Sequence, residues 1–303
     1  MNYKEKIMFL VFVILVAFIW ITFGERIMKG SGWDVAVVSG TGVERQVRNY
    51  GNVRSCLEYQ DYLEAVAALK EGTVDAVIMD RLDALNSLKR FGGNDLKLVG
   101  ERLTDRKGRA VFRPGDDMLC LQFNKALLEL IRDKTYEQLS VKYFGVNLLD
   151  NKNIKKPLLM DVSIRDIRGA DESWAEIQKK GVLEFGIMVN NPPFCYYGQD
   201  KRLTGFEVEL TEAIAKKLGI KYKLVVMERR EAYDALIKGR CDAFLYGTNS
   251  INSLGGKVVY SEPYYFSGAQ LVVLAESPIN GPETLNQRIP SFKSLLRRRM
   301  IKW

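Results

Sequence analysis

The sequence predicts an α/β fold in two units, preceded by one membrane-spanning helix. Three observations predict it. Short aliphatic runs alternate with amphipathic helical stretches, once before residue 147 and again after residue 172. The stretch 147–172 between them is polar, irregular and mixed in charge, as a linker is. Residues 7–23, IMFLVFVILVAFIWITF, contain no charge.

That first segment is flanked by Lys4 and Lys6 on one side and by Glu25, Arg26 and Lys29 on the other. No small-x-small cleavage site follows it and no cysteine is placed for lipidation. An uncleaved signal-anchor is therefore favoured over a removed signal peptide, with residues 1–6 cytoplasmic and the rest extracytoplasmic. Gly30-Ser31-Gly32 then makes a joint.

The first α/β unit follows. Asp34 to Val38 reads as a strand entering the turn Ser39-Gly40-Thr41-Gly42, and a helix starts at Val43. Tyr62 to Lys70 is amphipathic, with Leu63, Val66, Ala67 and Leu69 on its apolar stripe, and Gly72 ends it. Val74 to Met79 is a strand, 81–91 a helix and Lys97 to Val99 a short strand. Residues 110–113 form a strand, Asp116 or Asp117 caps a helix over Leu119 to Ile131, and Tyr136 to Phe144 is a helix stopped by Gly145.

The second unit begins with a helix over Trp174 to Lys180 and a strand over Val182 to Val189, then turns at Asn190-Asn191-Pro192-Pro193. A helix over Phe206 to Leu218 ends at Gly219. Tyr222 to Met227, Asp242 to Tyr246 and Leu271 to Leu274 read as strands, with a helix over Ala232 to Lys238. Such βαβ alternation calls for parallel sheets covered by helices.

Composition excludes several classes of function. The chain has 303 residues and no histidine, so the usual general base, the commonest metal ligand and any imidazole-dependent triad are absent. No Gly-rich phosphate loop of either common kind is present. The net charge of +8 is concentrated in the tail: Arg288, Lys293, Arg297, Arg298, Arg299 and Lys302 supply +6, leaving +2 for residues 1–286. Nucleic-acid binding needs a basic face on a folded body, so it is not expected. Cys56, Cys120, Cys195 and Cys241 form no CxxC pair and read as buried free thiols, a Cys195–Cys241 disulfide being the alternative outside the cell.

Several segments together resemble the type 2 periplasmic solute-binding proteins, specifically the polar amino-acid receptors of solute-binding protein family 3. The front of that family's first lobe resembles Trp174 to Leu183, then Asn191-Pro192-Pro193-Phe194, then Gly205-Phe206-Glu207-Val208-Glu209-Leu210, then Ser261-Glu262-Pro263-Tyr264-Tyr265. The second lobe resembles Val35 to Gly42 and Ala68 to Asp80. Asn124 to Leu127 and Thr135 to Gly145 resemble its closing helices. The resemblance implies two α/β lobes that close on a ligand about a hinge. The order differs from the family's: 33–109 is second-lobe-like, 110–146 holds the closing helices, 147–172 is the linker, 173–280 is first-lobe-like and 281–303 is a basic tail. Two accounts fit this order. One is a circular permutant; the other is two half-modules cut from a tandem array.

An amino-acid receptor must satisfy a carboxylate and an ammonium taken out of water. The resemblance implies that Ser39, Gly40, Thr41 and Gly42 offer backbone N–H groups to an anion, the alternative being a plain tight turn. It implies that Asp80 accepts the ligand ammonium, the alternative being a helix N-cap. The carboxylate-binding arginine of the family falls on Leu254, its first stacking aromatic on Asn191 and its second at or near Arg229. Arg229 or Arg230 is the substitute for that arginine, with a surface position as the alternative. Gly247 and Asn249 keep places of a backbone carbonyl and a polar side chain, and Tyr196 is a further ligand contact or else a core or surface tyrosine.

The expected function is therefore capture of a small polar, amino-acid-like ligand, with no catalysis and no cofactor. An ABC permease or a sensor is the partner. A non-binding structural or sensory module, or a fragment of a tandem receptor, is the alternative. Losing the bidentate arginine implies that ordinary α-amino acids bind weakly or not at all. Leu254→Arg is expected to raise amino-acid affinity at least tenfold by calorimetric titration, and no gain for any amino acid would count against the alignment.

Overall fold

The computed structural model describes residues 32–91, 94–149, 171–246 and 258–287, without the side chains of Arg229 and Tyr246. The expected signal-anchor at 7–23, most of the linker and the basic tail from 288 lie outside the described residues. Among those described, no helix is long and apolar enough to cross a membrane. The chain divides into two units, passing between them at 79/80, 95/96, 101/102 and 270/271.

Unit 1 is built on a five-stranded sheet. Its strands are β1 (Trp33–Val38), β2 (Val53–Tyr59), β3 (Ala76–Asp80), β4 (Leu96–Val99) and β12 (Ala269–Leu274), in the order β2-β1-β3-β12-β4. β1 runs parallel to both β2 and β3, while β12 is antiparallel to β4. Every residue of β1 is buried, as a central parallel strand covered on both faces must be. The five-residue helix α1 (Glu44–Arg48) follows it. Helix α2 (Tyr62–Lys70) is capped by Asp61, whose carboxylate accepts from the Leu63 amide at 2.5 Å. Its end at Gly72 has φ +75°, a left-handed conformation that glycine adopts without strain.

One buried acid fastens the edge strand. Asp34 of β1 accepts from Arg54 Nε at 2.9 Å and Ser55 Oγ at 2.6 Å, both on β2, and its amide donates to Asp75 Oδ2 at 3.0 Å. The sequence reading missed β2 because none of its seven residues is fully buried, so it carries no apolar run.

Unit 2 holds a second five-stranded sheet, in the order β11-β5-β10-β6-β9. Here β6 (Val182–Ile187), β9 (Lys221–Val226) and β10 (Ala243–Tyr246) are parallel. β5 (Arg106–Phe112) is antiparallel to β10 and to β11 (Val259–Ser267). Two short strands, β7 (Tyr196–Tyr197) and β8 (Leu203–Thr204), pair separately. The helices are α3 (Arg81–Arg90), α4 (Asp117–Arg132), α5 (Thr135–Phe144), α6 (Ser173–Lys180), α7 (Phe206–Leu218) and α8 (Ala232–Ile237). The strand read at 110–113 begins four residues earlier. Antiparallel pairing, rather than apolar patterning, extends it through its charged start.

The first turn of α4 is satisfied from a distance. Neither predicted aspartate caps it with a side-chain bond. Instead Asp171 Oδ2 accepts from the Met118 amide, and Ser173 Oγ accepts from the Leu119 amide at 3.1 Å. Phe206 centres the aromatic core of this unit, touching Tyr136, Phe144, Phe194 and Tyr264 at centroid distances of 5.9, 5.4, 6.3 and 6.4 Å. Beside it Glu207 is 2% exposed and accepts from the Tyr264 hydroxyl. Burial pushes its carboxyl up to about 7.

A raised carboxyl pKa sets the sign of a pH effect. The protonated folded form contributes its full stability below pH 4.5, and that contribution is lost as pH rises through about 7. Glu207→Gln keeps the acceptor oxygen without the charge. It is expected to gain on the parent by up to about 3 kcal/mol between pH 4 and pH 8 in urea unfolding. A difference independent of pH would refute the assignment.

Candidate functional site

The residues singled out by sequence fall into both units. In unit 1, Ser39 to Gly42 turn from β1 toward α1, with Gly40 and Gly42 at φ +82° and +73°. A Cβ at either glycine would meet nothing within 4 Å, so the turn opens onto free space. Its hydroxyls are engaged: Ser39 Oγ donates to Glu58 Oε1 at 2.8 Å, and Thr41 Oγ1 donates to the Val38 carbonyl at 2.9 Å. The Gly40 and Gly42 amides have no acceptor among the described residues. Glu58 sets a negative charge against this turn, and the five residues of α1 give only a small helix dipole.

Asp80 ends β3 and begins α3. Its Oδ1 accepts from the Leu82 amide at 2.9 Å, which makes it the N-cap, and from Ser267 Oγ at 2.6 Å. Its Oδ2 accepts from Arg106 Nη1 at 3.0 Å. The side chain is only 14% exposed. Asp80 is thus a cap and an ion-pair partner at once.

Sequence reasoning did not find the groups around Asp80. Arg81 is the next residue, and its Nη1 donates to Gln270 Oε1 at 2.8 Å while its amide donates to the Gly268 carbonyl at 2.8 Å. Gly268 itself stands at φ +147°, and a Cβ there would lie 1.7 Å from the Thr104 carbonyl oxygen, so only glycine fits. Adjacency to Asp80 was the available signal for Arg81. None existed for Arg106, Ser267 or Gln270.

In the Pro192-Pro193 region, Asn191 forms a tight backbone bridge with Cys195, its amide donating to the Cys195 carbonyl at 3.0 Å and the reverse also at 3.0 Å. Tyr196, half-buried, pairs across β7 and β8 with Thr204. Tyr196, Thr204, Pro192 and Pro193 line a groove of about 550 Å³ within unit 2, with Asn86 and Lys89 of α3. An ion pair crosses its wall: Lys142 Nζ lies 2.6 Å from Glu209 Oε1, which also accepts from the Tyr143 hydroxyl. The Glu209 bond heads the causes that raise the Lys142 pKa.

Arg229 opens a short 3₁₀ turn, and its side chain lies outside the described residues, as do Gly247, Asn249 and Leu254. Arg230 is exposed and pairs with Glu228 at 2.8 Å. All four cysteines are free. Burial pushes the Cys120 and Cys195 thiols up to about 12.

The two α/β units each carry a mixed five-stranded sheet, and the chain passes between them four times. Residues 183–299 match the model of the bacterial extracellular solute-binding proteins, family 3. The chain is 32% identical over 98 residues to the L-cystine-binding protein TcyJ of Escherichia coli, covering 32% of this chain and 37% of that protein. It is 36% identical over 125 residues to a putative amino-acid ABC transporter-binding protein of Vibrio harveyi, covering 39% and 48%. The L-cystine solute receptor of Neisseria gonorrhoeae, in its unliganded open conformation, is 31% identical, with 27% of this chain and 36% of that one covered and a TM-score of 0.25. The chain therefore spans less than half the length of these curated relatives.

The double duty of Asp80 is testable by a double-mutant cycle. Asp80→Ala is expected to cost about 2 kcal/mol, combining a lost cap with a lost ion pair, and Arg106→Ala less. A coupling of about 1 kcal/mol is expected, and strict additivity would show that the pair contributes nothing.

Proposed function

We propose that this chain is a membrane-anchored, extracytoplasmic solute-binding protein that captures a small polar, amino-acid-like ligand for an ABC transporter or a sensor. The observation that carries this reading is the family match over residues 183–299, which coincides with the β6–α7–β9–β10 core of unit 2. Relatives named for L-cystine and for amino-acid ABC transport support the ligand class. The uncharged segment at 7–23 supports the anchor. Binding rather than catalysis fits a chain without histidine.

The permuted order is part of the proposal. Unit 2 draws β5 and α4 from one half of the chain and β6, β10 and β11 from the other, which favours one module over two severed halves. In unit 1, Asn52 joins the two chain regions that a family member would connect directly. Its carbonyl accepts from the Trp33 amide at 2.8 Å, and its Nδ2 donates to the Gln287 carbonyl at 2.8 Å. That proximity supports circular permutation.

The test is a thermal-shift screen of the full chain in detergent against L-cystine, L-arginine, L-glutamine and small carboxylates. A ligand present at 100 times its dissociation constant is expected to stabilise the protein by about 2.7 kcal/mol. A cooperative melt that no ligand moves would favour the non-binding structural module. The absence of any cooperative melt would sink the single-module reading.

A further inference from the structure

Unit 2 contains a half-buried charge that the packing does not balance. Arg81 is fixed by two neutral acceptors, the Gly268 carbonyl on its amide and Gln270 Oε1 on its guanidinium. Gln270 is 6% exposed, so it holds the guanidinium in a defined place. The other N–H groups of the fork have no protein acceptor among the described residues, and no carboxylate pairs with it there.

The nearest acid in sequence does not serve it. Asp80 is engaged by Arg106, Ser267 and the Leu82 amide. Arg102 adds a like charge, and its own partner is Asp105 at 2.9 Å, an exposed carboxylate. Burial first, and Arg102 second, lower the Arg81 pKa from its ordinary value. Among the described ion pairs Arg102 pairs with Asp105 and Arg106 with Asp80, and none includes Arg81. A guanidinium withdrawn from water with only an amide for company is unfavourable, and a carboxylate in bidentate contact would reverse that.

We propose that Arg81 receives the carboxylate of the ligand, which makes the ligand class a carboxylate-bearing small molecule, and that any ligand ammonium competes with Arg106 for Asp80. This rests on the binding reading above and gives that reading a carboxylate receptor on α3, on a different element from Leu254, Arg229 and Arg230.

The experiment is calorimetric titration of the full chain in detergent with succinate, L-glutamate, L-cystine and the carboxylate-free diamine cadaverine, using the parent, Arg81→Gln and Arg81→Lys. Carboxylate probes are expected to bind the parent, to lose at least tenfold in affinity in Arg81→Gln and to recover part of it in Arg81→Lys. Without ligand, Arg81→Gln is expected to melt no lower than the parent, because it removes an unbalanced charge. Undiminished carboxylate binding in Arg81→Gln, or binding of cadaverine alone, overturns this inference and leaves the binding reading standing. A failure of Arg81→Gln to fold also overturns it, by showing the guanidinium to be structural. Binding of none of the four probes to a folded parent overturns both.

Discussion

Unit 2 depends on one strand supplied from far away in the chain. β5 is hydrogen-bonded on both edges, to β10 through Ala243↔Phe112 and Leu245↔Ala110, and to β11 through Val259↔Phe112 and Ser267↔Arg106. Removing it would leave two rows of backbone donors and acceptors unpaired. Pairing across so long a loop costs chain entropy, though the cost grows only logarithmically with length. Fully buried Ala110 and Phe112, with Val111 beside them, offset it. Gly108 is fitted to the same strand: a Cβ there would fall 1.9 Å from the Tyr265 ring, so glycine alone lets β11 lay that ring on β5. From β5 the core continues through Phe112, Phe123 and Phe185, whose centroids are 5.6 and 6.4 Å apart in turn.

The acids taken out of water are handled in three ways. Asp34 is met by Arg54 and Ser55. Glu207, with a tyrosine hydroxyl as its side-chain partner among the described residues, holds its proton toward neutral pH. Asp80 divides its oxygens among a helix terminus, a serine and Arg106. Against that pattern Arg81 is a half-buried cation with no ion pair among the described residues.

The family match and the unit boundaries divide the chain differently. Residues 183–299 carry the family's sequence pattern. Yet unit 2 also takes residues 102–149, and unit 1 takes residues 271–287. Each unit is therefore assembled from both halves of the chain, which is the physical content of the permuted-module proposal.

Local signals by themselves determined much of the secondary structure. Tyr62–Lys70 and Phe206–Leu218 are helices with the boundaries their patterns give, since Asp61 caps one and Gly219, at φ +67°, stops the other. The buried strand at β1 was legible because all of it is apolar apart from Asp34. β2 and β11 lie on sheet edges and mix charges or proline with apolar residues, so no periodicity marked them. Asp80 was picked out by sequence as an ammonium acceptor, with the capping role that it has in the structure as the alternative. Its other partners were not, because Arg106 is 26 positions away and Ser267 is 187. The sequence alone determined the helices and the buried strands, since capping and periodicity act within a few residues. Only the tertiary structure decided which charges meet, because those contacts are made by segments that fold together from opposite halves of the chain.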